Sequence, residues 1–168
     1  LMFRKHILLI ILVVVAAVVM LPKLGKPTMW QDEAETALLA RSILKNGYPV
    51  AYDGQNLITQ LSGNDSNSHY TWAFTPWLPF YVVAGSYLFL GESNFAGRLP
   101  FVLIGIAALI AIYFLVYRLS RNKNVAILSS LFLFLNFQFI LYSSQCKYYS
   151  IFFLIPPLLY LAYRRIHK

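Results

Sequence analysis

Three carboxylates, Asp32, Glu33 and Glu35, fall within four consecutive residues of the stretch "WQDEAETALLARSILKNGYP". A carboxylate held against a bound hydroxyl can take up its proton, so this cluster is a candidate general base. The same acids also suit a helix start. Asp32 fits the N-cap, with Glu35 at N3 as an Asp version of the capping box, and negative charge favours the first turn. Lys45 in the last turn, Gly47 as a left-handed C-cap and Pro49 beyond it close a helix predicted over 33–45. Ala37, Ala40 and Leu44, with Ile43 beside them, give that helix an apolar stripe to lay on a membrane surface or on neighbouring helices. Capping and catalysis both remain open on the residues alone.

The surroundings of this cluster are apolar. Of 168 residues, 59% are hydrophobic and 12% charged, against about 25% charged in soluble proteins, which predicts an integral membrane protein. The net charge of +8 comes from basic residues beside apolar runs, at Arg4-Lys5-His6, from Arg118 to Lys123, and at Arg164-Arg165-His167-Lys168. That placement suits cytoplasmic loops and lipid headgroups, and argues against a nucleic-acid partner. The lone Cys146 excludes an intrachain disulfide, and His6, His69 and His167 are too far apart for a local zinc motif. Asp32 and Glu33 could share a divalent cation, but two carboxylates make a poor cage, and no cofactor is required. A chain that opens on Leu1 and stops just after an apolar run reads as an amino-terminal piece of a longer protein.

The elements that must position the acids follow from hydropathy. The predicted fold is all-α, with a first span over 7–21, an extracytoplasmic loop over 22–70, and further apolar helices over 71–90, 101–117, 125–141 and 148–163. Five simple spans would place Arg118, Arg121 and Lys123 outside, against the positive-inside tendency. If 71–90, broken by Pro76 and Pro79, does not fully cross, every basic cluster falls inside and the acids face outside. Trp72, Trp77, Phe80 and Tyr81 suit an interfacial aromatic belt. Asn64-Asp65-Ser66 is a sequon, relevant only in a eukaryotic lumen.

In order along the chain, "WQDEAETALLARSILKNGYP", then "TPWLPFYVVAGSYLFLGESNFAGRLPFVLIGIAALIAIYFLVYRL", then "YSSQCKYYSIFFLI" resembles membrane glycosyltransferases of the GT-C class, of the protein O-mannosyltransferase and aminoarabinose transferase type. The resemblance implies inverting transfer of a sugar from a polyprenyl-monophosphate donor to a hydroxyl of protein, lipid or glycan, at the extracytoplasmic face of a membrane. The expected membrane is the plasma membrane of a prokaryote in preference to the endoplasmic reticulum. The resemblance implies Asp32 as the base, with Glu33 as helper or support, in a fragment expected to be inactive alone because later helices complete the donor groove. A phosphate leaves without a strong general acid, so one carboxylate suffices, while cations must stabilise the departing phosphate. Arg98 matches an Arg-Leu-Pro of the family, and Lys147 stands where relatives often carry Arg. Both are donor-phosphate candidates, with snorkelling interface residues as the alternative. Thr75, which replaces a family lysine before Pro76, is a further donor-phosphate candidate that offers a hydrogen bond but no charge, and the second Asp of aminoarabinose transferases is missing near Lys147. Trp72, Trp77 and Tyr81 become candidate sugar or lipid contacts. The rival expectation is a non-catalytic membrane scaffold, or a relative that binds lipid-linked sugar without turnover. A transporter would place ionisable groups inside its spans, where none is predicted.

Overall fold

A computed structural model describes residues 6–166; Arg4, Lys5, His167 and Lys168 of the basic clusters lie outside them. The described chain is all-α: α1 (Ile7–Met20), α2 (Gln31–Asn46), α3 (Leu78–Leu90), α4 (Asn94–Ser120), α5 (Lys123–Leu135), α6 (Phe137–Ser143) and α7 (Tyr149–Ile166). Between α2 and α3, extended segments meet only as isolated bridges, Val50 with Thr71, Tyr52 with Leu57 and Ser66 with Trp72. The chain divides into two compact units, one of residues 1–24, 101–145 and 149–168, the other of residues 25–100 and 146–148, so α4 begins in the second and continues in the first.

In the first unit, α1 runs antiparallel to α4. His6 Nδ1 lies 2.8 Å from the Tyr113 hydroxyl, whereas Met20 reaches the neighbourhood of Gly105. Leu9, Tyr113 and Ala126 form a buried cluster joining α1, α4 and α5, and Ser130 Oγ donates to the Leu109 carbonyl at 3.1 Å. A Cβ on Gly105 would sit 2.7 Å from the Ser143 Cβ, so only glycine admits α6 this close to α4. Arg118 donates to the Leu161 and Arg164 carbonyls at 3.3 and 3.4 Å. His6, Arg118, Lys123 and Arg164 thereby gather at one end of this unit.

At about 1.5 Å per residue, α4 is long enough for a hydrocarbon core of about 30 Å. It is the one described helix that is both long and apolar enough to cross, with α5 and α6 qualifying only together, across a 70° bend. Several predicted bounds shift. The helix expected over 101–117 starts at Asn94, seven residues earlier, because Ser93 Oγ caps the Ala96 N–H at 3.1 Å. Pro100 then sits inside the helix and cannot donate to the Ala96 carbonyl, and Ser86 Oγ fills that vacancy at 2.6 Å. The expected 125–141 helix breaks at Asn136, whose side chain caps α6 through the Gln138 and Phe139 amides. The segment 71–77 is not helical; α3 starts at Leu78, with Pro79 in its first turn where a missing N–H costs nothing.

Candidate functional site

The acids lie in the second unit, and α2 carries them differently from the capping-box expectation. The helix starts at Gln31 with Trp30 as N-cap and no side-chain cap, so Asp32 and Glu33 occupy the first turn. Gly47 is the left-handed C-cap (φ 81°) and Lys45 lies in the last turn, as read from the residues. The buried stripe comprises Glu33, Thr36, Ala37, Ala40 and Ile43, with Leu39 beside it, whereas Leu44 is exposed.

Glu33 therefore sits on the apolar stripe, where a carboxylate requires a partner. Arg98, from the second turn of α4, supplies it in a two-pronged pair, Nε to Oε1 at 2.8 Å and Nη2 to Oε2 at 2.6 Å. The guanidinium also donates to the Pro27 and Thr28 carbonyls at 2.9 and 3.1 Å, tying down the approach to α2. Glu33 Oε1 accepts the Cys146 N–H at 3.1 Å. The side chains of Arg98 and Glu33 are only 6% and 3% exposed. This tertiary network outweighs an N-cap worth about 1 kcal/mol, which explains why the helix start moves upstream of Asp32.

Glu35 is held by a second buried pair, with Lys147 Nζ at 3.1 Å, and by a hydrogen bond from Gln60 Nε2. Burial pushes the Glu35 carboxyl above the usual carboxylate range, with Lys147 and Gln60 pulling it back and the Asp32 charge adding to the rise. Burial and the adjacent Glu33 charge push the Cys146 thiol up, removing it as a nucleophile. Asp32 differs from both neighbours. It is half-buried, and among the described residues its carboxylate has no hydrogen-bond or ion-pair partner, only its main-chain carbonyl being used, by Thr36 Oγ1 at 3.1 Å. One acid with a free carboxylate is thus presented at the N-terminus of a helix anchored by two ion pairs.

The structure brings Asp32, Glu33, Arg98 and Lys147 into one region but gives the two cations partners other than a donor phosphate. Neither snorkels, since both are buried against carboxylates. Trp72 is corrected from ligand contact to core: it is fully buried, and its Nε1 donates to Thr75 Oγ1 at 2.9 Å, which also employs Thr75 structurally. Trp77 donates to the Trp72 carbonyl at 2.8 Å and Tyr81 to the Gly47 carbonyl at 2.9 Å, each keeping an exposed ring face. The partnership of Glu35 with Lys147 and Gln60 was not anticipated. No group of three or more His, Cys, Asp or Glu side chains placed to hold a metal ion occurs among the described residues. No protein-family model, curated protein or solved structure matches the chain.

Proposed function

We propose that this chain carries the acceptor-activating site of an inverting GT-C-type glycosyltransferase, a multi-pass protein of a prokaryotic plasma membrane that uses a polyprenyl-monophosphate sugar. Asp32 takes the acceptor hydroxyl proton as the new bond to the anomeric carbon forms and the bond to the phosphate oxygen breaks, releasing polyprenyl phosphate. The observation that supports this is the division of labour on α2: Glu33 and Glu35 are consumed by Arg98 and Lys147, and Asp32 keeps its carboxylate. Arg98 and Lys147 then act as positioning residues that fix the helix carrying the base, and Glu33 supports rather than reacts. For the membrane placement, α1 offers an apolar surface (Ile7, Leu8, Ile11, Val14, Val18 and Val19 all exposed) that suits lipid, and the gathered basic residues suit a cytoplasmic end. On this reading 71–90 does not cross.

One observation favours a second reading, a relative that binds lipid-linked sugar without turning it over: Arg98 and Lys147 spend their charge on acids, leaving the departing phosphate without them. Membranes carrying the full-length protein, given a panel of sugar-loaded polyprenyl monophosphates, separate the two. Transfer by wild type that falls about 10²- to 10⁴-fold in Asp32→Asn supports the base. Donor binding without transfer across the panel supports the second reading, and wild-type transfer by Asp32→Asn overturns the first.

A further inference from the structure

The outer face of α2, away from the two buried ion pairs, forms one wall of a groove of about 520 Å³ in the second unit, within the range of about 300–1,000 Å³ usual for ligand sites. Leu38, Arg41, Ser42 and Lys45 share that face at i, i+3, i+4 and i+7, and the turn built on Tyr52 to Asn56, with Ile58, forms the other wall. Much of the lining is already spent on shape. Ser42 Oγ accepts the Val50 N–H at 2.7 Å, and Asp53 Oδ1 accepts the Gln55 and Asn56 amides at 2.9 and 2.7 Å. The Asn46 amide donates to Ser42, and that of Asn56 to Asp53. Each asparagine thereby turns its donor inward, and its side-chain oxygen has no partner among the described residues. Glu92 engages Arg41 through Nε, at 2.7 Å, the terminal guanidinium nitrogens have no partner among the described residues, and Lys45 is exposed. Tyr52 lies beside Tyr70 with ring centroids 5.0 Å apart and stays 40% exposed.

We infer that this groove binds an acidic saccharide, a pyranose whose apolar face lies on Tyr52, Leu38 and Ile58 while its carboxylate or phosphate meets Lys45 and Arg41. Sugar hydroxyls donate to the oxygens that Asn46 and Asn56 leave open. Glu92 offsets the Arg41 charge and the Asp53 acceptors are taken up by its own turn, so an anion is met by Lys45 and by the terminal nitrogens of Arg41. An extended peptide is disfavoured, because the Ala51, Asp53 and Ile58 amides already bond within the unit and leave no edge for strand addition. Thirteen residues of helix separate Asp32 from Lys45, about 20 Å at 1.5 Å per residue, so this is a site apart from the proposed base and does not depend on it.

The test is calorimetric binding to the full chain in detergent, with trigalacturonate, mannose 6-phosphate and neutral maltotriose as probes. The expected result is at least one acidic probe binding about tenfold tighter than maltotriose, an affinity that falls as salt rises, and weakening by Lys45→Gln and Tyr52→Leu. Preference for trigalacturonate assigns the carboxylate and preference for mannose 6-phosphate the phosphate. Asp32→Asn leaves binding intact while affecting transfer, which keeps the two sites distinguishable. Equal binding of maltotriose, no binding of any probe, indifference to both groove variants, or loss in Asp32→Asn would overturn the inference.

Discussion

Replacing Glu33 with glutamine tests whether the buried ion pair holds α2 in place. The amide keeps an oxygen for the Cys146 N–H but turns an NH₂ towards the guanidinium, opposing donor to donor and leaving the Arg98 charge uncompensated in a site where its side chain is 6% exposed. Removing one partner of such a pair costs about 3–5 kcal/mol. For a unit of roughly 60–100 residues, each kcal/mol moves the melting temperature by about 4–8 °C, so Glu33→Gln should melt at least ~12 °C lower. Trp30, Trp72 and Trp77 all lie in the second unit, so tryptophan fluorescence in detergent follows this unit specifically. The paired apolar replacement Glu33→Leu with Arg98→Met should recover much of the loss, since it leaves no orphan charge. A Glu33→Gln protein melting within about 2 °C of wild type, well under 1 kcal/mol, would refute the claim that this pair anchors the helix.

Other expected outcomes are separate in space. Ser86→Ala strips the Ala96 carbonyl of its donor and should cost about 1–3 kcal/mol; adding Pro100→Ala restores a helical N–H and should recover part of it, both read by thermal melting. Asn136→Ala removes the cap at the α5–α6 bend and should cost about 0.5–2 kcal/mol, read by loss of helical circular dichroism on heating. Burial raises the Asp65 carboxyl, but hydrogen bonds from Thr59 and the Leu61 and Gln60 amides outweigh it and hold the group below its usual 3.8. Its contribution is therefore present above pH 3.8 and lost as pH falls through the lower folded value. The fluorescence-monitored stability gap between wild type and Asp65→Asn should close in that acid window and stay constant near neutrality.

The run of apolar segments separated by polar breaks made the helical class readable, and Gly47 with Pro49 marked the end of α2 correctly. Local chemistry failed where tertiary partners decide. Asp32 is a good N-cap in isolation, yet the pairing of Glu33 with Arg98, 65 positions away, sets the helix start. A signal for that pairing was present: Glu33 falls on the stripe of Thr36, Ala37 and Ala40, and an acid on a buried stripe demands a cation. Asn136 looked like one polar residue inside an apolar run, whereas its side chain satisfies two amides of a new helix. Trp72 and Thr75 resembled ligand contacts because an aromatic and a hydroxyl three residues apart carry no mark of facing each other in a core.

The most direct measurement is the single-turnover rate of sugar transfer by Asp32→Asn beside wild type, with melting followed by tryptophan fluorescence on the same preparations. The account predicts a rate lower by about 10²- to 10⁴-fold with stability reduced by no more than one first-turn charge is worth, about 0.3–1 kcal/mol, because the Asp32 side chain makes no hydrogen bond or ion pair among the described residues. Transfer at the wild-type rate would contradict it, and so would a loss of transfer matched by an equal loss of folded protein.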